Sequence, residues 1–175
     1  MKKIYLVRHC EATGQLADAQ LTEVGFKQAE QLAEFLTKLK ISHLKSSTFT
    51  RAIQTIEPFS QAIGLTIATD DRLIERDLGL GIVDDWFDKF SPTFVDLDLK
   101  YGEGESSYEA QKRILAVIDE SETGTLLVSH GNLIALALMH FGDADGFTYW
   151  QELTNPDVFE LMIDRDVTTI NRIWL

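Results

Sequence analysis

Two short β-rich apolar runs, KIYLV at residues 3–7 and TLLVSH at 125–130, run out on polar pairs, Arg8-His9 and Ser129-His130. Runs of this length read as buried strands, and a strand that stops abruptly on such groups delivers them to its carboxyl end. Helical patterns lie between them. Thr22 precedes apolar positions at Ala29, Leu32, Ala33, Leu36 and Leu39, which predicts an amphipathic helix over residues 23–39 capped by Thr22. SSTFTRAIQTIEPFSQAI reads as a turn feeding a helix, with Arg51 near its amino end and Gly64 closing it. Residues 107–120 form another helix, and a Gly131 turn leads into the helical run NLIALALMHF. Residues 41–46 and LTIATD are further strand candidates. VFELMID and TTINRIWL read as an antiparallel pair joined by a turn at Arg165-Asp166.

Strands that alternate with helices and finish on a hairpin predict a three-layer α/β/α sandwich, its central sheet mostly parallel with an antiparallel edge. The 175 residues, 45% of them hydrophobic, fit a single domain over 1–175 whose core needs no disulfide. Ligands of such sheets bind beyond the carboxyl ends of the strands. Arg8, His9 and His130 are therefore expected in one crevice although they are distant in sequence.

No apolar run approaches the roughly 20 residues of a membrane span, and the Met1-Lys2-Lys3 start leads straight into a strand. One cysteine, Cys10, excludes an internal disulfide and a cysteine-rich zinc site. Both point to a soluble, cytoplasmic protein. The formal charge of −12 repels nucleic acid and anionic membrane, so an anionic substrate has to be captured by a locally positive pocket. Two arginines, two imidazoles and a helix amino terminus at Arg51 fit a phosphoryl group. Arginine offers a fixed fork of donors matched to phosphate oxygens and stays charged at any working pH. A neutral histidine held by its other ring nitrogen is a competent nucleophile toward phosphorus, and a second can hydrogen-bond the equatorial oxygens. Neither role needs a metal, and no cofactor is expected.

Six motifs in order, LVRHCEA (6–12), LTEVGFKQAEQL (21–32), SSTFTRAIQT (46–55), LIERDLG (73–79), GES (104–106) and LLVSHGNLI (126–134), resemble the histidine phosphatase superfamily, the phosphoglycerate-mutase-like enzymes. The resemblance spans nearly the whole chain. It implies that His9 forms a phosphohistidine, that Arg8, Arg51 and His130 make the phosphate pocket, and that Glu75 is the proton donor. Gln15 falls near a phosphate-contacting amide of the family, and Thr13 is a further candidate contact. Three residues depart from the pattern: Cys10 stands in place of a Gly after the catalytic His, Asn132 in place of a small residue, and GES lacks an upstream Pro. Cys10 is expected beside the nucleophile, narrowing the pocket or making it sensitive to oxidation.

His43 and His140 match no motif and are read as structural, and Arg113 as a helix-surface residue. The segment from Gly81 to Glu103, with Trp86, Phe87, Phe90, Phe94 and Tyr101 among several Asp residues, reads either as an amphipathic helix packed over the site or as a substrate lid. A mutase must retain a bisphosphorylated intermediate behind long closing loops, for which this chain has little room. Hydrolysis of a small phosphorylated metabolite is the expected activity. A phosphoglycerate-mutase-type transferase, a phosphoprotein or phosphohistidine phosphatase, and a non-catalytic phosphate-binding protein are the alternatives, and the oligomeric state stays open.

Overall fold

The computed structural model describes residues 1–81, 83–165 and 167–174. Ile82 of the 81–103 segment, Asp166 of the expected hairpin turn and the terminal Leu175 lie outside the described residues. In chain order the elements are β1 (Lys2–Arg8), α1 (Glu23–Leu36), β2 (His43–Ser46), α2 (Thr50–Ile63), β3 (Ile67–Thr69), α3 (Trp86–Phe90), α4 (Ser107–Glu120), β4 (Thr125–Ser129), α5 (Gly131–Phe141), α6 (Gly146–Glu152), β5 (Asp157–Asp164) and β6 (Val167–Arg172). Short 3₁₀ turns occupy Asp71–Leu73 and Ser91–Phe94.

The described strands form one sheet in the order β3-β2-β4-β1-β5-β6. The first four run parallel, and β5 and β6 close one edge antiparallel, as the strand pattern predicts. Alternation along β1 sorts its side chains between two cores. Ile4 and Leu6 join Leu127 and Leu161 against α4 and α5, whereas Tyr5 and Val7 join Leu126 and Val128 against α1 and α2. Helices therefore cover both faces, which gives the three layers.

Parallel register sets the carboxyl ends of β1, β4 and β2 side by side: Arg8 is opposite Ser129, and Ser46 opposite Val128. The next residues continue the ladder, His9 N–H donating to the Ser129 carbonyl at 3.1 Å and Ser47 N–H to the Val128 carbonyl at 2.9 Å. One edge of the sheet thus collects Arg8, His9, Ser47 and His130.

Local chemistry accounts for the differences from the sequence pattern. α1 stops at Leu36 because the Thr37 hydroxyl donates to the Glu34 carbonyl, and Lys38 and Leu39 tighten into bonds to Phe35 and Leu36. Gly131 is the first residue of α5 rather than a turn. A Cβ there would lie 3.1 Å from the Arg8 guanidinium, so the missing side chain permits a close approach. α6 has no counterpart in the apolar periodicity. It is short and aromatic, and is capped by Asp145, whose carboxylate accepts the Thr148 N–H. Gly79, at φ 68°, closes the base of the 81–103 segment, where a Cβ would collide with the Tyr101 carbonyl and Gly104. Within that segment Phe90 and Phe94 are buried and pack on Phe147, with Trp150 of α6 also against Phe90. Trp86 and Phe87 remain exposed.

The Thr22 cap is present: its hydroxyl oxygen accepts the Gly25 N–H at 3.0 Å and its proton goes to Glu11. Thr22→Ala is expected to lower unfolding stability by about 1 kcal/mol, read as a shift in the urea midpoint at unchanged slope.

Candidate active site

His9 extends β1 and is nearly buried. Its Nδ1 lies 2.7 Å from the Cys10 carbonyl oxygen, and a carbonyl can only accept, so the ring proton belongs on Nδ1 and the Nε2 lone pair faces inward. Arg51, in the first turn of α2, is fully buried. Its Nε donates to that Nε2 at 3.3 Å, and its Nη1 donates to the carbonyls of Leu16 (2.8 Å) and Gln15 (3.2 Å). Arg8 at the end of β1 reaches the other way, its Nη1 donating to the Leu153 carbonyl at 3.1 Å where α6 ends. His130 caps α5 and stands 5.1 Å from His9, ring centroid to ring centroid. Its Nε2 is 2.8 Å from the Ser47 hydroxyl oxygen. Phe49 fills the space between, with the Arg51 guanidinium 5.1 Å from its ring on one side and the His130 ring at 5.1 Å on another.

Glu75 meets this cluster from a loop. One carboxylate oxygen accepts the N–H groups of Leu133 (3.1 Å) and Arg76 (2.9 Å), and the other that of Asn132 (3.0 Å), so the first turn of α5 fixes its position. Its charge is close enough to act on both Arg8 and Arg51, although neither arginine is in direct ion-pair contact with a carboxylate among the described residues.

Among the described residues four buried side-chain polar atoms lack a partner: Arg8 Nε, Arg51 Nη2, His130 Nδ1 and Asn132 Oδ1. Unpartnered buried groups are costly and uncommon in folded proteins. Three of these four belong to the residues around His9: two guanidinium donors and one imidazole nitrogen. Burial, reinforced by the charges of Arg51 and Arg8 and opposed by the Cys10 carbonyl, pulls the His9 pKa from 6.5 to about 3. Burial and the neighbouring positive groups drive His130 down as well. Burial also lowers both guanidiniums, and the Glu75 charge works against it. The site is therefore a cationic pocket holding two neutral imidazoles, suited to binding a phosphoryl group and attacking it with nitrogen.

Other candidate residues stand differently. Thr13 is exposed and donates its hydroxyl proton to the Gln20 carbonyl. Gln15 touches the cluster through its backbone carbonyl on Arg51, while its side chain is exposed. Cys10 turns away from the pocket into the core under α1 and α2. It is wholly buried there, its thiol pushed up to about 12 by burial, which makes it inert rather than a pocket-narrowing or oxidisable group. Arg113 is no surface residue: it donates to the carbonyls of Arg72 and Ile74 and pairs with Glu105, bracing the loop that carries Glu75. Sequence reasoning gave no part to Ser47, Phe49 or Asn155, whose side-chain amide donates to the His9 carbonyl at 2.7 Å. The ST and FT pairs ahead of Arg51 were legible as a helix start, but nothing in them signals which ring they would touch.

A cavity of about 520 Å³ is bordered by Glu75 together with Asp71, Arg72, Lys100, Glu105 and Arg113. Its basic side chains are already engaged, Arg72 with Asp70 and Glu120, Lys100 with Glu109 and Arg113 with Glu105, so it is not the anion site. Among the described residues no three His, Cys, Asp or Glu side chains converge as a metal site, and no helix is long and apolar enough to cross a membrane.

A mostly parallel α/β sheet that gathers arginines and histidines at its carboxyl edge defines the class of α/β proteins whose ligand site lies at that edge. Within it, the sequence profile of the histidine phosphatase superfamily (branch 1) matches residues 4–174, and the chain belongs to that family. A probable phosphoglycerate mutase, GpmB, of Yersinia pestis (strain Pestoides F) is 33% identical over 160 residues, covering 79% of this chain and 74% of the relative. Solved structures share the fold. A mycobacterial glucosyl-3-phosphoglycerate phosphatase complexed with VO3 superposes with a TM-score of 0.80 at 24% identity, covering 98% of both chains. Bacillus stearothermophilus YhfR follows at 0.78 and 24%, over 98% of this chain and 96% of its own.

The depressed pKa values carry a sign. A group less basic in the folded than in the unfolded state contributes stability that is present above the unfolded value near 6.5 and lost as pH falls toward the folded one. The protein is therefore expected to lose thermal stability progressively as pH drops from 6.5 toward 4. Neither His9 nor His130 should titrate between pH 8 and 5 in ring-proton NMR. A midpoint near 6.5 for either ring would contradict this geometry.

Proposed function

We propose that this chain is a phosphomonoesterase that hydrolyses a small phosphorylated metabolite in the cytoplasm through a phosphohistidine on His9. The observation that carries this reading is the grouping around His9 of Arg8, Arg51 and His130, each with a buried nitrogen left without a partner among the described residues, while Arg51 Nε donates to the His9 Nε2 lone pair. A phosphate dianion seated among them would draw the Arg51 donors to its oxygens, which frees the lone pair that Arg51 holds in the resting site. Nε2 then attacks phosphorus as the ester P–O bond breaks. Arg8, Arg51 and His130 stabilise the charge on the equatorial oxygens, a contribution that fixed donors make at little reorganisation cost. Glu75, a carboxylate in the resting site, would take up a proton from solvent as the phosphate dianion binds and give it to the departing oxygen. It next takes a proton from the water that cleaves the P–N bond, releasing phosphate and, once that proton returns to solvent, restoring both groups. Thr13 and Gln15 have no necessary part in this cycle.

Hydrolysis is favoured over a mutase by the state of the remaining cations. A bisphosphorylated intermediate needs a second anion site. Arg72, Lys89, Lys100 and Arg113 are all paired with carboxylates. Arg76 is buried against the Thr93 and Ser107 hydroxyls and the Glu105 carbonyl. The 81–103 segment, with Phe90 and Phe94 locked into the core, offers little closing loop. The exposed Asp84, Asp85, Asp88 and Asp96 of that segment would further disfavour polyanionic substrates, which supports a monophosphate.

Brief incubation with a labelled phosphate ester in EDTA is expected to leave an acid-labile label on the protein, absent in His9→Ala. An acid-stable label, or full labelling of that variant, would exclude the phosphohistidine. Glu75→Gln is expected to slow alkyl phosphate hydrolysis by about 10² to 10⁴, because an alkoxide leaves poorly without a proton. It should spare most of the first-turnover burst with an aryl phosphate, whose phenolate leaves unprotonated. Equal losses in both bursts would rule out the acid role.

A further inference from the structure

Ser47 follows β2, is fully buried, and presents its hydroxyl oxygen 2.8 Å from Nε2 of His130. The same oxygen accepts the Phe49 backbone N–H at 3.2 Å. A hydroxyl carries one proton and two lone pairs. The Phe49 N–H uses one lone pair, and among the described residues His130 is the other hydrogen-bond partner of this oxygen. The shared proton between Ser47 and His130 has two arrangements. If it sat on Nε2, the Ser47 hydroxyl proton would have no acceptor in a fully buried place, and Nδ1 would present a lone pair where phosphate oxygens must go. If instead Ser47 donates to Nε2, the serine is fully satisfied, and the imidazole proton resides on Nδ1, the atom left without a protein partner.

We propose that Ser47 is a positioning residue that fixes His130 as the Nδ1–H tautomer, so that this ring offers the transferring phosphoryl group a hydrogen-bond donor. The assignment of that donor to a phosphoryl group rests on the function proposed above; the tautomer itself does not. His9 carries its proton on the same ring atom yet faces the site the opposite way. An obligate acceptor, the Cys10 carbonyl, stands behind Nδ1 of His9, whereas a donor, the Ser47 hydroxyl, stands behind Nε2 of His130. Two neutral rings 5.1 Å apart thereby present one lone pair and one N–H, a nucleophile and an electrophilic support. The Phe49 ring, edge-on to His130 at an interplanar angle of 68°, keeps the imidazole from turning away from the serine.

The test is a long-range ¹H–¹⁵N correlation spectrum of the histidine-labelled, phosphate-free protein at neutral pH, with the His130 signals identified by their absence in His130→Asn. A proton on Nδ1 is expected, and a proton on Nε2 overturns the proposal whatever the turnover. Ser47→Ala is expected to shift or mix the tautomer and to lower kcat/KM for an aryl phosphate about 10- to 100-fold. Ser47→Thr, which restores a hydroxyl, should recover both. An alanine variant that keeps the pure Nδ1–H form and full kcat/KM also overturns it. Absence of turnover in the wild-type protein, with the Nδ1–H form observed, instead counts against the phosphatase reading and leaves the tautomer assignment standing.

Discussion

Arg51 is a wholly buried cation held by two backbone carbonyls and an imidazole, with no carboxylate in contact among the described residues. Desolvating a guanidinium costs several kcal/mol, and dipoles alone offset only part of it. The surrounding architecture has the features that such a charge requires. The loop carrying Gln15 and Leu16 supplies the carbonyls, Phe49 covers one face, and Glu75 adds negative charge at a distance. Arg8 at the neighbouring strand end meets the same problem with the Leu153 carbonyl. What the protein leaves undone is the full neutralisation of this pair, and that residual positive charge is what the proposed phosphate dianion would complete.

Glu75 shows how a carboxylate can sit near two arginines without quenching them. Its oxygens are occupied by the first N–H groups of α5 and by that of Arg76, so it remains beside the cationic pocket rather than inside it. Arg113 and Arg76 secure the loop from behind, one through carbonyls of Arg72 and Ile74, the other through hydroxyls of Thr93 and Ser107. Buried polar networks of this kind are worth their desolvation only when each member is satisfied, and among the described residues the unsatisfied side-chain atoms are confined to the pocket and Asn132.

Much of the architecture was legible because apolar patterning is a local signal. The KIYLV and TLLVS strands, the Thr22 cap, the Gly64 stop and the 107–120 helix all follow from residues within a turn or two of one another. Where the reading ran short, the deciding contact was remote. The aromatic α6 depends on Phe90 and Phe94 for its packing, not on a periodic stripe of its own. Cys10 looked like a pocket residue because it follows His9, but it lies beyond the end of β1, where its backbone N–H donates to the Thr55 hydroxyl of α2 and its side chain joins the core beneath α1. Arg113 read as a surface group because the carbonyls it serves, on Arg72 and Ile74, lie 41 and 39 residues away in the chain.

The sequence by itself determined the order of the strands and of the helices with an apolar stripe, the sheet type, and the arrival of Arg8, His9 and His130 at the carboxyl edge, since burial period, caps and motif chemistry are written in neighbouring residues. Only the tertiary structure decided what each group can do there. Whether an imidazole is a nucleophile or a donor depends on whether a carbonyl or a hydroxyl stands behind it. Whether an arginine is free for an anion depends on which carboxylates are within reach, as the contrast of Arg8 and Arg51 with Arg72 and Arg113 makes plain. Those neighbours come from distant parts of the chain, and hydrogen bonding and desolvation act over a few ångströms of space rather than along the sequence.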